Sequence, residues 1–334
     1  MSAAEQYYSH AKQSSELSDQ HFVRTDVWKK TLEKDFTGIM EDVRQAVKRW
    51  NLWLRDCMRT ETGLRISGDT EKTNVNIRVA DGMPASFHQA LNIEPGFLNL
   101  FMHLPLLRQT VAGLMYLEGA AADVSLFMNS DKYNQQSLFA EDIITKVANL
   151  VMSLEAKQAL ERICALEEDV LGAYFLRSNM IEIYWMPIAI VSRLAGVSAE
   201  ALTVVVMAHE LAHAYTHVGQ DIDGNRWETR AMQKAELRII EGIAQHYTAI
   251  ACDKLSIKLP EAKQAYEGLV TMQPEPYRVH LAWKEKYRNL GEVVRTTMMA
   301  TRAQEVQRYD EFLYFMNQCA LTLERNNEYQ GQLL

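Results

Sequence analysis

Three things this sequence lacks narrow what it can be. Its four cysteines, Cys57, Cys164, Cys252 and Cys319, are scattered through 334 residues with no Cys-x-x-Cys spacing. A disulfide framework is therefore excluded, and reduced, buried thiols are expected. Positive charge is not in excess: 35 Lys and Arg face 43 Asp and Glu, a formal net charge of -8. No basic stripe is left to neutralise phosphates, so no nucleic-acid partner is expected. No apolar run reaches the length of a membrane span, and Met1 to Leu17 is polar and charged where a secretory leader needs an apolar stretch. The expectation is a cytoplasmic chain with no membrane partner. At 48% hydrophobic and 23% charged residues the sequence belongs with ordinary globular proteins, not with disordered or collagen-like ones.

What is present is mostly helical pattern. From Asp26 to about Arg59, Trp28, Leu32, Phe36, Ile39, Val43, Val47, Trp50 and Leu54 recur at three- or four-residue intervals, which predicts a long amphipathic helix. Gly63 to Ser67 and Asn74 to Ala80 read as two short strands separated by polar residues, a β-hairpin near 63–80. Leu98 to Gly119 and Ala140 to Leu171 read as core helices. Met180 to Met186 alternates as a strand. Pro187 then serves as a first helical residue and Gly196 as the stop. Ser198 is a good N-cap for a helix that runs to Gly219, and Asp221, Asp223, Gly224 and Asn225 make the following stretch a loop. A helix from about Thr229 to Leu255 and a mostly helical remainder, punctuated by Pro260, Pro274 and Pro276, complete the chain.

The chemistry concentrates in His209-Glu210-Leu211-Ala212-His213. On a helix, positions i and i+4 lie one above the other, so the two histidines can offer ring nitrogens to one metal ion, and Glu210 can reach a metal-bound water without itself being a ligand. Zinc suits neutral imidazoles, and three protein ligands leave a fourth position for water, whose pKa the metal lowers towards 7. Such a motif also arises by chance on exposed helices. Here Thr203 to Ala208 precede it and Leu211, Ala212 and Ala214 continue it without a charged residue, so the face is buried and its polar groups need partners.

The stretch Val206 to Tyr215, followed 28 positions after His213 by Glu241-Gly242-Ile243-Ala244-Gln245, resembles the zincin metallopeptidases and, among them, the gluzincins. That resemblance implies Glu241 as third zinc ligand, Glu210 as general base, a zincin-like core, and a peptide or protein substrate. It also implies an oxyanion donor downstream of the third ligand, for which Tyr277 and His280 are the candidates and Tyr247 a weaker one. Zincins pair extended substrate with an edge strand above the metal helix; Met180 to Met186 is either that strand or an interior one. The resemblance covers about Gly172 to Asp253. Thr216 and Gly219 stand where a metzincin has Gly and His, and Ala244 stands where thermolysin-like enzymes have Asp.

Independently of the resemblance, Glu241 falls in an apolar stretch with Ile239, Ile240 and Ile243, where a carboxylate needs a charge partner or a metal. Glu236 is its rival as ligand. His217 and His246 read as residues supporting the site, and Asp221 or Asp223 as turn residues before ligands. The expected fold is mainly α with a small mixed β-sheet, an α+β class. Residues 1–120 form a helical N-terminal region with the hairpin, and 121–334 form the catalytic core with metal helices at about 199–218 and 229–255. The expected activity is zinc-dependent peptide hydrolysis. The alternatives are a non-catalytic interaction protein with structural zinc, and a zinc hydrolase of a non-peptide amide.

Overall fold

The computed structural model describes residues 38–66, 75–87, 158, 160–166 and 170–331, with side chains as far as residue 325. The chain divides into two compact units. One combines residues 1–87 with 164–334 and carries all the elements below; the other is 88–163, of which the described residues 158 and 160–163 are helical. The division expected at residue 120 falls inside the second unit. The long stretches expected as core helices at 98–119 and 140–171, and the first part of the N-terminal helix, lie largely outside the described residues.

Helix α1 spans Ile39–Thr62 and ends at Gly63, whose φ of 71° is the left-handed conformation glycine adopts without strain. Val43 and Leu54, predicted from the periodicity, are among its buried residues, and Ala46, Cys57 and Met58 widen the stripe. Three strands follow: β1, Asn76–Ala80; β2, Gly172–Phe175; β3, Met180–Tyr184. Their order is β1-β3-β2, with β1 parallel and β2 antiparallel to β3, so the sheet is mixed as expected. The expected hairpin is corrected. Val79 pairs with Ile183, and Arg65 exchanges main-chain hydrogen bonds of 2.9 and 2.7 Å with Gln220. The two segments therefore pair with different partners and not with each other. The alternation in Ile77 and Val79 reports burial on one face, which a distant partner satisfies as well as a neighbour.

Helix α2, Trp185–Ala195, begins before Pro187, which is its third residue. A proline costs little there because the first four helical N–H groups have no intrahelical acceptor. Helix α3, Ala199–Val218, starts where Ser198 accepts a hydrogen bond from the Ala201 N–H at 3.2 Å. Every residue from Ala201 to Val218 is buried. A helix apolar all round is a central one, and α3 packs against α1, α2, β2, β3 and two of the helices that follow. Glu200, in its first turn, accepts from Trp50 Nε1 at 2.7 Å and Arg49 at 2.8 Å, tying it to α1.

The single helix expected from 229 to 255 is two: α4, Thr229–Lys234, and α5, Leu237–Leu255. Ala235 and Glu236 are extended between them, and the Glu236 N–H is taken by the Gln307 carbonyl at 2.8 Å. A tertiary hydrogen bond replaces the helical one, which local pattern does not reveal. Helices α6 (Pro260–Val270), α7 (Glu275–Lys286), α8 (Leu290–Gln304) and α9 (Tyr309–Gly331) follow among the described residues. The described helices include none long and apolar enough to cross a membrane.

Candidate metal centre

Helices α3 and α5 pack together, with Glu241 on the second turn of α5 facing the middle of α3. Gly242 makes the neighbouring approach of α7 possible: a Cβ there would lie 2.5 Å from Trp283 Cη2 and 2.6 Å from Val279 Cγ2. The result is a convergence of three ligand atoms. His209 Nε2 and His213 Nε2 are 3.0 Å apart, and Glu241 Oε2 lies 3.2 Å from the first and 3.4 Å from the second. Glu241 is completely buried, and the histidines are 7% and 4% exposed.

This donor set fits a zinc-sized ion. With zinc–nitrogen and zinc–oxygen bonds of about 2.0–2.2 Å, the edge of a tetrahedron of ligands is about 3.3–3.6 Å, close to the separations seen. Neither Glu241 oxygen forms a well-directed hydrogen bond, and His213 Nδ1 has no hydrogen-bond partner. A buried carboxylate in that state needs a cation. Burial pushes the Glu241 carboxyl up, but the close approach of the His213 and His209 imidazoles outweighs it and holds it below the usual carboxylate range. The three residues form a group able to hold a metal ion.

Glu210, 2% exposed, is outside that trio. It faces the sheet: a Cβ on Gly172 of β2 would sit 3.4 Å from Glu210 Cγ and 2.6 Å from Val206 Cγ1. Tyr277 is also beside the centre, its ring stacked on that of His209 at 6.1 Å between centroids and 27° between planes. His280, one turn further along α7, turns to another partner, with Nε2 2.7 Å from the Tyr266 hydroxyl. Burial lowers its pKa to about 4, so it is neutral at pH 7.

The other residues considered from the sequence are not brought into the trio. Glu236 stands at the residue before α5, in the break that precedes it, and its side chain makes no capping hydrogen bond. His246 packs edge-on against Tyr247, whose hydroxyl is directed at Met298 Sδ, 3.9 Å away. Asp221 Oδ1 accepts from the N–H groups of Asp223 and Asn225, a turn role. His217 is engaged at both nitrogens, Nδ1 3.0 Å from the Tyr174 hydroxyl and Nε2 2.9 Å from Thr229 Oγ1.

Strand β3 is interior, flanked by β1 and β2. The edge strand next to α3 is β2, which sequence reasoning missed because Gly172-Ala173-Tyr174-Phe175 is four residues long with no alternation to detect. Comparison of the chain with protein-family models, with curated proteins and with solved structures finds no match, so its functional reading rests on the chemistry of these residues.

Proposed function

We propose that the protein is a zinc-dependent peptidase of the gluzincin kind, with His209, His213 and Glu241 holding the metal and Glu210 acting as general base. The observation that carries this is the convergence of two imidazole nitrogens and one fully buried carboxylate oxygen within 3.4 Å, next in sequence to a buried glutamate that is not needed as a ligand. Zinc bound by three protein groups supplies a site for water, lowers that water's pKa towards 7 and polarises a carbonyl. Glu210 takes the proton from the attacking water and passes it to the leaving amine. Tyr277, its ring stacked on that of His209, is the candidate oxyanion donor in contact with a ligand residue, while His280 Nε2 meets the Tyr266 hydroxyl.

Strand β2 suits an extended substrate. The Tyr184 N–H donates to the Leu171 carbonyl at 2.9 Å, which fixes the phase of the antiparallel ladder. The next residue, Gly172, and then Tyr174 therefore turn their peptide groups away from β3 towards an edge that no other described strand occupies. A peptide added there lies alongside Glu210.

Metal analysis of the wild type beside Glu241→Ala and Glu236→Ala tests the ligand set, with zinc lost from the first only. Glu210→Gln tests the chemistry: zinc stays bound while turnover of a peptide pool falls by about a hundredfold or more. Unchanged turnover overturns the assigned base. A wild type that binds no zinc leaves His209, His213 and Glu241 as a buried ion-pair cluster and overturns the whole proposal.

A further inference from the structure

His217 lies on the metal helix one turn beyond His213 and is 2% exposed, yet it contributes nothing to the metal trio. It bridges two other elements. Its Nδ1 meets Tyr174 of β2 and its Nε2 meets Thr229, the first residue of α4. The Tyr174 hydroxyl also lies 3.2 Å from Asn179 Oδ1, in the turn between β2 and β3, where Asn179 has a φ of 49°. These contacts allow one self-consistent direction. Tyr174 has a single proton, and Asn179 Oδ1 can only accept it, so Nδ1 of His217 donates to Tyr174 and Nε2 accepts from Thr229. The chain Thr229 to His217 to Tyr174 to Asn179 thus runs donor to acceptor at every step, with the buried imidazole of His217 neutral at its centre and the other three residues partly buried.

Gly172 and Tyr174 are the two residues of β2 that face α3, and they are also the two whose peptide groups face the open edge. Gly172 touches the helix by close approach and Tyr174 by hydrogen bond. We propose that His217 is a positioning residue that fixes β2 over the metal helix through Tyr174, so that the strand receives an extended peptide main chain in one register. The substrate half of this inference rests on the peptidase proposed above; the clamp itself does not.

The test uses the full-length protein loaded with zinc, in the variants Tyr174→Phe, His217→Gln and His217→Asn. Asparagine can place an amide near the position of Nδ1 and keep the bond to Tyr174, whereas glutamine reaches towards Nε2 and keeps the bond to Thr229. Amide hydrogen exchange followed by mass spectrometry reads the clamp without reference to activity. Tyr174→Phe and His217→Gln accelerate exchange across Gly172 to Phe175 by about fivefold, the worth of one hydrogen bond, with α3 unchanged, while His217→Asn behaves as wild type. A pool of quenched fluorescent octapeptides reads the substrate role. The same two variants raise KM by about fivefold with kcat within about twofold, and His217→Asn restores KM.

Unchanged exchange in Tyr174→Phe, or equal acceleration throughout α3, overturns the clamp. Identical behaviour of the Gln and Asn variants overturns the route through Tyr174. A zinc-loaded wild type that shows the clamp in exchange but cleaves no peptide overturns the peptidase and, with it, the substrate role alone.

Discussion

Replacing Gly242 by alanine tests whether the close approach of α5 and α7 sets up the centre. The added methyl would meet Trp283 Cη2 at 2.5 Å and Val279 Cγ2 at 2.6 Å, whereas carbon atoms in contact sit at about 3.5–4.0 Å. The two helices must part by about 1 Å, because Trp283 has little room to turn. Its indole N–H donates to the Tyr309 hydroxyl at 2.9 Å, and its ring packs 5.4 Å from that of Phe312. Overpacking of this kind costs about 1–3 kcal/mol, against which alanine recovers about 1 kcal/mol of helix propensity. Gly268, on α6, has nothing within 4 Å of its Cβ position, so Gly268→Ala collects the propensity without the clash. Urea unfolding of the zinc-loaded proteins, followed by tryptophan fluorescence, should place the two variants about 1–3 kcal/mol apart, with Gly268→Ala above wild type. Because α7 carries Tyr277 against His209, a displacement of about 1 Å is also expected to lower kcat/KM by up to about a hundredfold. Equal stability of the two alanine variants would refute the close-packing account, and full activity in a destabilised Gly242→Ala would remove Tyr277 from the chemistry.

Gly172→Ala places a methyl 2.6 Å from Val206 Cγ1 and 3.4 Å from Glu210 Cγ. Peptide turnover is expected to fall at least about tenfold with zinc content unchanged, and loss of the metal instead would mean the strand supports the ligands and not the base. The acid limb of stability should carry the signature of His217. Burial, aided by the charges of Arg302 and Arg226, lowers its pKa to about 4 in the fold, against about 6.5 in the unfolded chain. The unfolded chain therefore binds the extra proton, and the stabilisation, fully present above pH 6.5, is lost as the pH falls towards 4. Between pH 7 and 5 this amounts to about 2 kcal/mol at most. Urea midpoints over that range should fall less steeply in His217→Asn than in wild type, and parallel slopes would place the titration elsewhere.

The features visible from sequence and those hidden in it differ in how far apart their causes lie along the chain. Helix α3 could be read almost to the residue, because Ser198, the apolar run and Gly219 are local signals. The i, i+4 histidine pair is equally local. Glu241 became legible by cost: a carboxylate among Ile239, Ile240 and Ile243 is expensive unless something cationic meets it, and the fold brings two imidazole nitrogens within 3.4 Å. The break at Ala235 and Glu236 was hidden because its cause, the Gln307 carbonyl, lies some seventy residues downstream. The pairing of β1 was hidden for the same reason, with its partner Met180–Tyr184 about a hundred residues away.

The same division runs through the proposed site. All three ligand positions sit on α3 and α5, helices whose burial is written into their own composition, so the metal trio is specified almost as locally as the helices are. The edge that would receive substrate depends on β2, a four-residue strand held by its ladder to β3, by Gly172 against Val206, and by Tyr174 on His217. A substitution in α3 that preserves apolar volume should therefore be tolerated more readily than one that alters either of the two β2 residues facing it. Metal binding and substrate binding should also separate under mutation: the first fails when a ligand is lost, and the second fails when the strand shifts while every ligand stays in place.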